Sequence, residues 1–209
     1  MRYIWPLKDT KPLFPDEVGC YGVFRRFDRH IGVDLYCEIG TEVVAVEDGR
    51  VVAVEGFTGP NADDPSPWWN DTQAILVEGK SGVITYGEVL SQVDVGQEIK
   101  QGEVIATVRP VLKENRGRPM VMLHFELMTH GSVETQWGRL KAPLEDCLRD
   151  PTNLLLEAAG EELEFFRMID YDGKQFIDPS APLQSSPWWV YLLGDKVKTL
   201  LTELFEELG

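Results

Sequence analysis

Histidine is nearly missing from this 209-residue chain: His30, His124 and His130 are the whole supply. Cysteine is equally scarce. Cys20, Cys37 and Cys147 are odd in number and none stands in a CxxC pair, which argues against a disulfide framework and predicts buried thiols in a reducing compartment, with one disulfide plus a free thiol as the alternative. No apolar run at the N-terminus reaches signal-peptide length, and none anywhere could span a bilayer. On that reading the chain is cytoplasmic, unless a non-classical route releases it. Positive charge is short as well: 20 Lys+Arg stand against 35 Asp+Glu, a net charge of −15 with no basic run. Nucleic acid and anionic membrane surfaces are therefore excluded as natural partners.

What is present is a series of short strands broken by turn residues. Val43–Val46 and Val51–Val54 flank Asp48-Gly49 and predict a tight β-hairpin. A second hairpin is predicted from Gln73–Glu78, a Gly79-Lys80-Ser81-Gly82 turn and Val83–Tyr86. Glycines punctuate the apolar pairs from Val95 to Ala106, and Val121–Leu127 alternates as a strand, with Met122, His124 and Glu126 on one face. The pattern predicts a mainly β protein, an antiparallel β sandwich or barrel. Between the two hairpins, Thr58–Thr72 is polar and rich in Pro, Asp and Asn, and predicts a long loop of the kind that borders sites.

After Asp150-Pro151 the character changes. Asp150 can cap and Pro151 can open a helix running to about Met168. A polar connector follows, and Asp195–Leu208 carries Val197, Leu200, Leu201, Leu204, Phe205 and Leu208 at helical spacing. We divide the chain into a β domain, 1–156, and a C-terminal extension, 157–209, whose amphipathic helix buries its stripe on that domain or on a protein partner.

His30 and Asp34 lie four residues apart, and His124 follows about ninety residues later on an alternating strand. Together they form an N/N/O set that suits a zinc ion keeping one position open for water. In an extended strand, residues four apart are roughly 13 Å from one another, so His30 and Asp34 can share an ion only if the chain bends. Gly32 is the residue that allows it.

The order of segments is HxGVDL, a Val-rich pair, a second hairpin, VGxxIxxGxVIA, LHFEL and then Asp-Pro. Over roughly Pro12 to Leu156 it resembles the lysostaphin-type, or LytM-like, zinc metallopeptidases that cut peptide cross-links in bacterial cell walls. The resemblance implies a small antiparallel β fold (a duplicated hybrid motif) with zinc in a groove, His30, Asp34 and His124 as ligands, and a cell-wall peptide, or peptidoglycan, as substrate. Two histidines that help catalysis in the family are replaced. The Tyr-x-His segment is Tyr86-Gly87-Glu88, and the first His of His-x-His is Met122. Glu88 can serve as general base in place of the first. Nothing at Met122 can stabilise an oxyanion, for which His130, Arg116 and Arg118 are the remaining candidates. Glu126 can orient His124.

Two main readings follow: a zinc metallopeptidase or amidase with Glu88 as catalytic residue, or a non-catalytic zinc-binding or degenerate peptidase-fold module that keeps the groove for recognition. The glycine-punctuated segment also resembles biotinyl and lipoyl carriers, but the only Asp-Lys pair, Asp195-Lys196, opens the terminal helix rather than a hairpin tip.

Overall fold

Buried residues at successive positions, 74–77, 83–89 and 123–128, build a sheet covered on both faces. The computed structural model describes residues 3–15, 18–23, 29–62, 65–114, 119–135 and 147–166. Its strands are β1 (Leu13–Pro15), β2 (Val33–Tyr36), β3 (Glu42–Val44), β4 (Gly49–Gly56), β5 (Gln73–Gly79), β6 (Val83–Ser91), β7 (Glu98–Ile99), β8 (Val104–Val108), β9 (Met122–Met128), β10 (Leu148–Arg149) and β11 (Glu164–Phe166), with helix α1 at Thr152–Ala159.

Nine strands form one antiparallel sheet in the order β10-β9-β6-β5-β4-β7. Strand β2 joins β9, and β8 joins both β6 and β3. The main core lies on one face, where Ile75, Val77, Ile84, Tyr86, Leu123 and Phe125 meet Val43, Ile99, Ile105 and Val108 from β3, β7 and β8. The arrangement is sandwich-like and stays open rather than closing as a barrel. On the opposite face a smaller cluster, Phe57, Ala74, Leu76, Val83 and Met128, shares the sheet with the polar residues of β9. Alternation along β9 thus sends Leu123 and Phe125 into the core and His124 and Glu126 to the other side.

The predicted β5–β6 hairpin forms, closed by the Gly79 N–H donating to Gly82 O at 2.9 Å. The predicted first hairpin does not. Strand β3 pairs with β8, while β4 pairs with β5 and β7. Asp48 Oδ1 accepts the Gln101 N–H at 2.8 Å instead of leading a turn. Gly49 is needed for close approach, since a Cβ there would stand 2.7 Å from Glu78 O and from Val77 Cγ1.

Helix α1 is also shorter than its sequence predicts. Its N-cap is Pro151 rather than the expected Asp150, whose Oδ1 accepts the Thr152 N–H at 2.9 Å just outside the helix, and it buries Leu154, Leu155, Ala158 and Ala159 in the main core. Gly160, at φ 60°, ends it. The chain then pairs as β11, in parallel, with β1, and Phe165 meets Phe14 edge-on at 6.3 Å. The division set after residue 156 therefore falls inside α1. The polar connector and the amphipathic stripe of Asp195–Leu208 lie outside the described residues. No helix among the described residues is long and apolar enough to cross a membrane. None of the three cysteines is in a disulfide, and burial pushes the Cys37 thiol up to about 11.

Candidate metal centre

The segment entering β2 alternates like the strand itself. Ile31, Val33 and Leu35 are buried in apolar surroundings, so His30, Gly32 and Asp34 share the opposite side. The chain bends at Gly32, and His30 Nε2 comes within 3.2 Å of Asp34 Oδ1. The bend places Gly32 against β9: a Cβ there would stand 2.6 Å from Phe125 O and 2.8 Å from His124 Nε2. Glycine is thus required by the ring and backbone packed on it, whereas its backbone is not at positive φ. Asp34 sits directly across from His124 in the β2–β9 ladder.

His30 Nε2, Asp34 Oδ1 and His124 Nδ1 form a buried triangle. Its edges are 3.2 Å between the two histidines, 3.2 Å from His30 to Asp34 and 2.8 Å from His124 to Asp34. Donor atoms of a tetrahedral zinc site with bonds of about 2.0 Å stand roughly 3.3 Å apart. These three residues, without Glu88 or Glu126, make up the group among the described residues that could hold a metal ion. The donor set leaves one position of a tetrahedron unfilled.

Hydrogen bonds behind the rings aim their lone pairs inward. His30 Nδ1–H donates to Cys20 O at 2.9 Å, which leaves Nε2 to face the triangle. His124 Nε2–H donates to Glu126 Oε1 at 3.0 Å, which leaves Nδ1 to do the same. Glu126 is itself held by the Thr135 hydroxyl, 3.0 and 3.1 Å from its two oxygens. Burial alone would push the His124 imidazole toward neutrality. Its hydrogen bonds to Asp34 and Glu126 outweigh that and lift the pKa to about 9. In the metal-free protein a proton therefore lies between Nδ1 and Asp34 Oδ1, where a cation would stand.

Glu88 lies beside this group. Gly87 is paired with His124 in the β6–β9 ladder, and Phe57 covers Gly87 while its ring lies 5.4 Å from that of His124. Between β5 and β6 the register slips, with Tyr86–Val89 opposite Ile75–Gln73. The extra residue is a bulge that re-aims the side chain. Glu88 takes φ 63°, the left-handed region that favours glycine. Its Oε2 accepts from Thr72 Oγ1 at 2.8 Å and from Thr58 Oγ1 at 3.0 Å. Its Oε1 has no hydrogen-bond partner among the described residues. Burial raises the carboxyl to about 7, against the lowering effect of the Thr72 hydrogen bond, the His124 charge and Thr58. Glu88 is thus a buried carboxyl on a bulge.

A profile of peptidase family M23 matches residues 28–135, just over half of the 209 residues. The chain belongs to peptidase family M23. Similar solved structures include the catalytic domain of the antimicrobial peptidase lysostaphin from Staphylococcus simulans, at 22% identity over 66% of this chain and 86% of that one, with a TM-score of 0.42. The catalytic domain, in mutant form, of the prophage-encoded M23 protein EnpA from Enterococcus faecalis aligns at 18% identity over 71% and 95%, with a TM-score of 0.47. A zinc-containing peptidase from Vibrio cholerae aligns at 20% over 60% and 36%, with a TM-score of 0.45. The chain covers 50% of whole lysostaphin. Among curated proteins, no sequence matches it.

The resemblance implies a helper histidine at each of two positions that here carry Glu88 and Met122. Glu88 occupies the first. Met122, half-buried opposite Tyr36, occupies the second and brings no polar group. His130 is not near the centre: it bonds Glu78 Oε1 at 3.2 Å, at the exposed end of the β5–β6 hairpin. Arg116 and Arg118 lie outside the described residues. Sequence reasoning missed the Cys20 carbonyl, Thr135, Phe57 and the pair Thr58 and Thr72. Only the last carried any signal, as the ends of a loop predicted to border a site.

Proposed function

We propose that this chain is a zinc-dependent peptidase that hydrolyses a peptide bond in a bacterial cell-wall peptide, with His30, Asp34 and His124 holding the ion and Glu88 acting as general base. The observation that carries the reading is the triangle of three inward-facing donor atoms, two of them on imidazoles whose other nitrogens are already committed to Cys20 O and Glu126. Zinc bound there supplies a Lewis acid for the scissile carbonyl and makes water more acidic. The protein does the rest. Glu126 and Cys20 O fix the tautomers. Glu88 Oε1 takes the proton of the attacking water and returns it to the leaving amine, which suits a carboxyl raised to about 7. The bulge and left-handed backbone at Glu88 are strain of the sort kept at working residues.

A second reading has its own support. With Glu88 and Met122 where M23 enzymes of the resembled type have histidines, the centre lacks a described donor for the oxyanion, which favours a zinc-binding module that recognises a peptide without cutting it. One experiment separates the two. Zinc content is measured on untagged protein beside His30→Ala and His124→Ala, and product release from purified peptidoglycan is measured beside Glu88→Gln. One zinc per chain, lost in both histidine variants, with hydrolysis abolished by Glu88→Gln, supports the peptidase. Zinc without hydrolysis supports the module, and no zinc overturns both.

A further inference from the structure

The segment Thr58–Thr72 is a loop whose neck is closed by rungs across its two ends. Phe57 N–H donates to Thr72 O at 2.9 Å, Thr72 N–H to Thr58 O at 3.0 Å and Thr58 N–H to Thr72 Oγ1 at 3.3 Å. Further along, the loop is braced from within and from outside. Gly59 N–H donates to Ser66 Oγ at 2.9 Å, Asn61 bonds Asp71 twice at 3.0 Å, and Asn70 Nδ2 reaches Pro110 O at 2.9 Å and Leu112 O at 3.0 Å. These bonds fix where the two threonine hydroxyls at the neck stand.

The hydroxyls stand on Glu88. Thr58 Oγ1, Thr72 Oγ1 and Glu88 Oε2 form a closed set of contacts of 2.7, 2.8 and 3.0 Å. Thr72 donates to Oε2, and the Thr58 proton is shared among Oε2, Thr72 Oγ1 and, at 3.3 Å, Asn70 O, so one carboxylate oxygen is tied down while Oε1 is left over. The neighbouring Phe57 at the same neck lies against the His124 ring.

We propose that Thr58 and Thr72 are positioning residues for Glu88: by holding Oε2 at the neck of the loop they present Oε1 as the oxygen that takes a proton at the centre. The proposal rests on the reading of Glu88 as general base. It also explains why a residue in left-handed backbone, with no glycine to relieve it, keeps one orientation: the loop fastens the side chain from outside the strand.

The test uses the full chain, zinc-loaded, with Thr58→Val, Thr72→Val, the double valine variant and the matching serine variants. Zinc per chain, dye release from dye-labelled peptidoglycan, and the pH midpoint of the Glu88 side-chain carboxyl carbon by NMR on metal-free protein are measured for each. The valine variants keep their zinc, lose at least about tenfold in rate, and show a raised Glu88 midpoint, because donor hydroxyls that favour the ionised form are gone. Serine keeps the hydroxyl and restores both rate and midpoint. A double valine variant with unchanged rate and unmoved midpoint overturns the proposal, and the single variants decide should the double one not fold. If the native protein releases no dye, the general-base reading of Glu88 falls by itself, and the midpoint still decides whether the threonines hold the carboxylate.

Discussion

Two buried glutamates stand near His124, one on each of the paired strands β6 and β9, and they are held in opposite ways. Glu126 lies in regular strand, with one oxygen on the His124 ring and both near the Thr135 hydroxyl. Glu88 lies on a bulge at positive φ, with Oε2 tied to two threonines and Oε1 unpartnered among the described residues. A carboxylate with both oxygens in contact with protein donors, one of them a ring N–H, is set to orient that ring. One with a spare oxygen, raised toward neutrality by burial, can accept a proton. The same side-chain chemistry thus does two jobs, separated by how many of its oxygens the fold has already used.

Substituting each glutamate is the sharpest way to break that contrast. Glu88→Gln keeps zinc and loses about 10² to 10⁴ in hydrolysis rate, the usual range for a general base, measured on peptidoglycan at saturating zinc. Glu126→Gln instead weakens zinc affinity about 10- to 100-fold and recovers most of its rate when zinc is raised, as a competition titration with a chelator would show. Equal loss of rate in both at saturating zinc would erase the distinction.

Stability supplies a next contrast, in the opposite direction. The Glu88 carboxyl is raised from the ordinary 4.5 to about 7. Below 4.5 it is protonated in folded and unfolded chain alike, and no penalty applies. As pH rises from 4.5 to 7 the unfolded chain releases a proton that the folded one keeps, so folding weakens, and above 7 the loss is complete. Metal-free Glu88→Gln should therefore gain up to about 3 kcal/mol over the native protein at pH 8, with the gain vanishing near pH 4.5 in denaturant melts. A gap that does not change with pH would show that Glu88 carries no burial penalty. By the same reasoning, hydrolysis falls as pH drops through a midpoint no higher than about 7, and this acid limb disappears from the residual activity of Glu88→Gln.

Smaller effects follow from the supports. Gly32→Ala forces a methyl against Phe125 O and the His124 ring, which costs about 1–3 kcal/mol and lowers zinc affinity together with stability. Thr135→Val leaves Glu126 on His124 but removes its anchor, a loss of about 1 kcal/mol in a thermal melt and a few-fold in zinc affinity.

The parts of this centre legible in the sequence are those encoded by short spacing and alternation. His30 and Asp34 are four apart around a glycine, and Leu123-His124-Phe125-Glu126 alternates, so the shared face of His124 and Glu126 was readable before any pairing was known. The second hairpin was readable for the same reason, with four turn residues between two apolar runs. The first hairpin is predicted but does not form, because Asp48-Gly49 has turn chemistry locally while the pairing of its flanking strands is decided by distant partners, β8 for one and β5 and β7 for the other. Helix α1 ends before its predicted limit because the apolar residues after Gly160 fit a helix as well as a strand until β1 offers its edge. The burial of Glu88 was invisible because its partners, Thr58 and Thr72, are 30 and 16 residues away in sequence, and no pattern marks a threonine at a loop neck as a donor to a glutamate.

The central claim is that three inward-facing donors and no fourth protein group hold one zinc ion. X-ray absorption at the zinc edge, on protein loaded with one equivalent, tests it most directly. The account predicts four light donors at about 2.0–2.1 Å, with two imidazole signatures that fall to one in His30→Ala and in His124→Ala, and a first shell unchanged in Glu88→Gln. A first shell that changes in Glu88→Gln would make Glu88 a ligand rather than a base, and a shell that keeps both imidazoles in either histidine variant would contradict the centre described.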